Sequence, residues 1–127
     1  MAESPKVGTV GWMDLTVPDA VAVKDFYEAV TGWEPSPVSM GDYEDYCMAP
    51  AGAGPVAGVC HARGVNANLP PVWLIYITGA DLDSSLERVE AKRGKIVRPA
   101  TGMGSYGRYA VVQDPAGAIS ALFEPAK

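Results

Sequence analysis

The sequence predicts an α+β fold made of two tandem β-α-β-β-β modules, and three observations carry that prediction. The 14 glycines and 11 prolines among 127 residues break the chain into many short elements. Each half holds one stretch of helical periodicity set among β-rich runs. The halves also align at a constant offset, because Asp19/Asp81, Gly32/Gly94 and Pro37/Pro99 each differ by 62, with Thr16/Thr78, Glu28/Glu90 and Ala29/Ala91 in the same register. A ferredoxin-like sandwich without duplication would also supply two helices, but it gives no reason for the shared offset.

The first module begins with a β-prone run, residues 7–17, that ends before Pro18, a residue that holds its predecessor extended. Asp19 can then cap a helix in which Val23, Phe26, Tyr27 and Val30 make one buried face, until Gly32 offers a left-handed stop. Strands follow at 33–38, 43–48 and 55–61, separated by turn-forming residues. Residues 62–71, with Gly64, Asn66, Asn68, Pro70 and Pro71, read as a connector. The pattern restarts with a strand at 72–78 and a helix capped by Asp81, with Leu82, Leu86 and Val89 on one face and Gly94 as its stop. Strands at 95–100, 106–113 and 118–123 complete it, the last two joined by the turn Asp114-Pro115-Ala116-Gly117. Module one is thus residues 7–61, and module two 72–124, of a single domain spanning 1–127.

Fifteen acidic against ten basic side chains, with no Lys/Arg run, make nucleic acid and anionic membranes poor partners. Residues 1–6 lack a basic region followed by an apolar core, and no run approaches the ~18 apolar residues of a membrane span. A cytoplasmic location is expected, and with it free thiols at Cys47 and Cys60.

Gly11-Trp12-Met13-Asp14-Leu15-Thr16-Val17-Pro18-Asp19, then Phe26-Tyr27 and Thr31-Gly32-Trp33, resemble the opening of the glyoxalase, bleomycin-resistance and extradiol-dioxygenase superfamily, also called vicinal oxygen chelate proteins. Asp81-Leu82-Asp83 and Val112-Gln113-Asp114-Pro115-Ala116-Gly117 look like its second module. The resemblance implies a curved, cup-like mixed sheet with helices on the outer face, a small molecule in the cup, and a homodimer. Alternation along the strands supplies the rows: Met13, Leu15 and Val17 against the helix, with Trp12, Asp14 and Thr16 in the cup; Trp73, Ile75 and Ile77 against the helix, with Leu74, Tyr76 and Thr78 in the cup.

The superfamily's usual metal ligands fall on Trp12, Val59, Leu74 and Ala121, none of which can bind a divalent cation. A displaced site using Asp14, His61 and Glu124 is conceivable, although Glu124 should point away from the cup if Ala121 and Phe123 face it. No metal or other cofactor is expected. No phosphate-binding glycine loop is present, because Gly102, Gly104 and Gly107 do not join a strand to a helix, and no nucleophile elbow occurs.

The candidate ligand-binding residues are Trp12, Asp14, Tyr46, His61, Leu74, Tyr76, Arg108, Tyr109 and Phe123, with Tyr106 and Arg108 in a segment able to close over the cup. Asp14, Tyr76 and His61 are the candidate catalytic residues. Asp14 is a carboxylate on an inward face that needs a partner such as Tyr76, Tyr46, Arg108 or a ligand; His61 is expected at the rim because it shares a face with Val59. The function expected is metal-independent binding of a planar or amphipathic small molecule. The alternative is a lyase, isomerase or epimerase using Asp14 and a tyrosine, or the displaced metal site.

Overall fold

The computed structural model describes residues 5–127, with backbone only at residue 65. The stretch read above for a targeting signal begins at residues 1–4, which lie outside the described residues. The protein is α+β, with eight strands and two α-helices among the described residues. In chain order these are β1 (Val10–Val17), α1 (Ala20–Thr31), β2 (Glu34–Ser39), β3 (Glu44–Ala49), β4 (Ala57–His61), β5 (Trp73–Thr78), α2 (Leu82–Ala91), β6 (Lys95–Gly102), β7 (Gly107–Gln113) and β8 (Ile119–Pro125). Contacts divide the chain into one unit of Met13–Trp73 and another of Leu74–Lys127 joined by the N-terminal stretch ending at Trp12. No helix among the described residues is long and apolar enough to cross a membrane.

In the Met13–Trp73 unit the strand order is β2-β3-β4-β1, with β4 parallel to β1 and the other pairs antiparallel. Edge strand β2 carries Pro35 and Pro37, which remove donors from a strand that needs only one bonded neighbour. Helix α1 starts at Asp19, whose Oδ1 accepts from the Ala22 N–H at 3.0 Å, and ends at Gly32 with φ 79°. Its buried stripe is Ala20, Val23 and Tyr27, packed on Leu15, Val17, Met48, Ala57 and Val59. The face expected from the spacing is rotated in the structure, because Phe26 (56% exposed) and Val30 (64%) point to solvent. Trp73 joins this core: its Nε1–H donates to Tyr27 Oη at 3.1 Å, and Trp33 completes the aromatic group.

In the other unit the order is β5-β8-β7-β6, with β5 and β8 parallel and the other two pairs antiparallel. The stretch before β1 adds to it, since the Gly8 N–H donates to Thr78 O and the Thr78 N–H to Thr9 O. Asp81 caps α2 as expected, its Oδ1 accepting from the Ser84 N–H. The helix stop differs from expectation: Arg93 takes the positive φ (69°), not Gly94. Gly94 is needed for close approach, because a Cβ there would meet Gln113 O at 2.8 Å and Val89 Cγ1 at 2.9 Å. Ile75, assigned to the helix-covered row, is exposed, because α2 lies over β6, β7 and β8.

Candidate functional site

Directly opposed residues on paired strands share a sheet face, so the register places the paired strand residues of each unit on one face or the other. In the Met13–Trp73 unit, Leu15 pairs with Val59, Val17 with His61 and Tyr46 with Val59, all on the face that packs against α1. Asp14 pairs with Gly58 and Thr16 with Cys60, while Cys47 pairs with Gly58, so these five lie on the opposite, open face. Three expectations are thereby corrected. Val59 is a core residue and not a cup position, and Tyr46 packs beside it under Lys24, whose Nζ lies 5.0 Å from the ring centroid. His61 pairs with Val17 on Val59's row, but at the last position of β4 its ring reaches Asp45, on the row of Cys47, so a face shared with Val59 is not what positions it.

The cause is a one-residue slip. Tyr76 pairs with Ala121 and Asp14 with Gly58, so the closing strands of the two halves stand 63 apart, not 62. The position equivalent to Ala121 is therefore Gly58, and a one-residue change of register exchanges the two faces of a strand. With Trp12, Gly58, Leu74 and Ala121 at the equivalent positions, the residues present do not fit the superfamily's metal. Among the described residues no group of three or more His, Cys, Asp or Glu side chains could hold a metal ion.

Asp14 was expected on the open face, and it lies there over Gly58, where a Cβ would collide with Asp14 Oδ1. This contact makes glycine obligatory at 58 for the carboxylate to keep its place. Both cysteines are free thiols. Burial, then the charge of Asp14, push the Cys60 thiol well above its ordinary range, and the same two causes raise Cys47. Neither thiol is activated as a nucleophile, since activation requires the thiolate.

In the Leu74–Lys127 unit, Tyr76, Thr78, Tyr109, Val111, Ala121 and Phe123 share the face opposite α2. Leu74 belongs to the same row of β5. The structure thus brings together Leu74, Tyr76, Tyr109 and Phe123, with the Tyr76 and Tyr109 rings 6.0 Å apart and tilted by 46°. Tyr109 is 8% exposed although no helix covers this face within the unit. Trp12, half-buried, stands on the same row of β1 as Asp14.

Arg108 is corrected. It lies on β7 opposite Glu124, on the helix side, and its guanidinium donates to Glu124 Oε1 (3.1 Å) and Oε2 (3.2 Å) and reaches both Asp83 oxygens. Glu124 Oε1 also accepts from the Leu82 N–H at 2.8 Å, one of the donors that the first turn of α2 leaves unpaired. The Arg108 guanidinium, then that N–H, hold the Glu124 carboxyl below its ordinary range. Arg108 and Glu124 therefore anchor the start of α2, and neither is available to Asp14 or to a metal on the open face. Tyr106, 74% exposed, sits at the tip of the β6–β7 connection.

A family model described as Glyoxalase/Bleomycin resistance protein/Dioxygenase superfamily matches residues 9–119. A Mycobacterium tuberculosis protein named "Putative glyoxylase CFP32" is 33% identical over 120 residues, covering 92% of this chain and 46% of its own length. The anthracycline biosynthesis protein DnrV of Streptomyces peucetius is 29% identical over 128 residues, covering 91% and 46%. The chain thus spans about half the length of the curated relatives it matches. The crystal structure of methylmalonyl-CoA epimerase from Mycobacterium tuberculosis superposes with a TM-score of 0.60 at 18% identity, over 100% of this chain and 94% of that one, a likeness of fold.

Proposed function

Because the chain belongs to the glyoxalase, bleomycin resistance protein and dioxygenase superfamily, we propose that it is a small-molecule binding protein of that superfamily that works without a metal and holds a planar or amphipathic ligand. The observation that carries this reading is the pairing of an aromatic face, Tyr76, Tyr109 and Phe123, with carbon side chains or none at the positions where the superfamily places its ligands. Tilted rings bind planar surfaces by area burial and stacking. Two relatives named for anthracycline biosynthesis make an anthracycline the first probe.

Elemental analysis and native mass spectrometry of the purified protein test the proposal together. Expected are no stoichiometric divalent metal and saturable, unaltered binding of the probe; about one Zn, Fe, Mn or Ni per chain retained after mild chelation refutes it. We further propose that it acts as a cytoplasmic homodimer. A second copy would supply a length of chain comparable to the half of the relatives that this chain does not match.

An epimerase or isomerase is the second reading, favoured by Asp14, a half-buried carboxylate seated on Gly58, where a Cβ would displace it. Turnover of methylmalonyl-CoA that disappears in Asp14→Asn would support it; binding without turnover would support sequestration.

A further inference from the structure

Beyond the ladder pairs of β3 and β4, which run from Met48↔Ala57 to Tyr46↔Val59, stands a group of side chains that the aromatic face does not use. Asp45 Oδ1 accepts the His61 backbone N–H at 2.8 Å and faces His61 Nδ1 at 3.3 Å. Asp45, only 8% exposed, is thus satisfied by the His61 backbone N–H. An imidazole whose Nδ1 faces a carboxylate carries its proton there, which leaves Nε2 as an acceptor. His61 Nε2 makes no hydrogen bond among the described residues.

Tyr43 links this pair to a cation. Its ring packs edge-on against His61, with centroids 5.5 Å apart at 79°, and the Arg63 guanidinium carbon lies 4.2 Å from the centroid of the same ring. Among the described residues Arg63 has Asp42 as its one ionic partner, at 3.8 Å, with both side chains about half exposed or more. Such a long, solvated pair contributes little and yields readily to a better anion.

We propose that Asp45 and His61 form a proton-accepting dyad for a small phenol or enol, whose oxyanion then pairs with Arg63. The O–H bond of the ligand breaks and its electron pair stays on oxygen. The proton forms Nε2–H, Asp45 faces the resulting imidazolium, and the oxyanion meets the guanidinium, so charge and protons balance on release as on binding. The charged and titratable groups around the imidazole are Asp45 on β3, Cys60 on β4, Asp42 and Tyr43 before β3, and Arg63 after β4, with Asp14 on β1 acting on the Cys60 thiol. The dyad does not rest on the absence of a metal, and it stands or falls separately from binding on the aromatic face.

Para-nitrophenol with the full chain tests it, because ionisation of the probe is visible and His61 is the chain's single histidine. Long-range proton–nitrogen NMR is expected to show the Nδ1–H tautomer in the free, neutral form and a doubly protonated ring on saturation with the probe, as the phenolate band grows. Arg63→Gln, at an exposed position, should weaken binding about ten-fold, and Asp45→Asn should abolish the tautomer preference. An Nε2–H tautomer in the free protein, or no saturable phenolate signal from the folded parent, overturns the proposal.

Discussion

Gly58→Ala isolates the contact on which the Asp14 position depends. A Cβ at 58 collides with Asp14 Oδ1, lies within 3.4 Å of Asp14 Cγ, and sits in ordinary contact with Cys60 Sγ at 3.7 Å. Gly58 does not have a positive φ, so alanine itself brings no backbone strain and would ordinarily favour a strand. The cost must come from displacing the carboxylate. Overpacking of this kind costs about 1 to 3 kcal/mol. With an unfolding entropy of roughly 2.1 cal/mol/K per residue, this lowers Tm by about 4 to 11 °C for a chain of this length. The same substitution in an Asp14→Ala background meets no carboxylate and should be neutral or stabilising, leaving a coupling of at least about 1 kcal/mol in the double-mutant cycle. Thermal melts of the four proteins, followed by circular dichroism, measure it. Equal costs of Gly58→Ala in both backgrounds would refute the placement of Asp14.

Three further outcomes are expected. Glu124→Gln should lower stability at neutral pH: the folded carboxyl is depressed, so its contribution is present above the unfolded value and is lost as pH falls through the folded one, and the difference from the parent should close below about pH 4; a pH-independent difference would contradict this. Tyr27→Phe leaves the Trp73 indole N–H without its acceptor and should cost about 1 to 3 kcal/mol in urea unfolding, whereas an unchanged midpoint would mean that the bond adds nothing. Trp12→Ala should weaken an anthracycline that binds the parent by about ten- to a hundred-fold, with loss of most of the ligand-dependent tryptophan fluorescence, and equal affinity would make Trp12 core filling.

The elements themselves were legible because short-range chemistry sets them. Asp19, Asp81 and Gly32 act as the caps their positions suggest, since side-chain acceptors and a left-handed glycine satisfy helix ends whatever the surroundings. The burial of α1 was less legible. Val23, Phe26, Tyr27 and Val30 form a broad apolar arc, but the strands beneath cover only the side that includes Ala20, and composition says nothing about which edge of an arc meets the sheet. Gly94 shows a related ambiguity. A glycine just past a helix signals either a positive φ or a close approach, and only the position of Gln113 O tells which.

Faces are harder to read than strands, because alternation gives two rows and a register is needed to say which row is open. On β1 and β5 the offset of 62 holds, and Asp14, Leu74 and Tyr76 lie on the rows away from the helices. On β4 the offset is 63, which moved Val59 and His61 to the wrong row and hid Gly58 and Cys60. On β3 and β7 Cys47 answers to Val111, which places Asp45 opposite Tyr109 in the repeat and Tyr46 with the core. Once these shifts are applied, the two halves differ in a consistent way. Where the second presents Tyr76, Tyr109 and Phe123, the first presents Asp14, Asp45 and Cys60. The two halves share their backbone pairing, while one of these faces is aromatic and the other carries two carboxylates. In the Met13–Trp73 unit the hydrophobic cluster lies on the helix side, whereas in the other unit Leu74, Val111 and Ala121 are buried on the face opposite α2, so an exchange on that face is felt by packing as well as by any ligand.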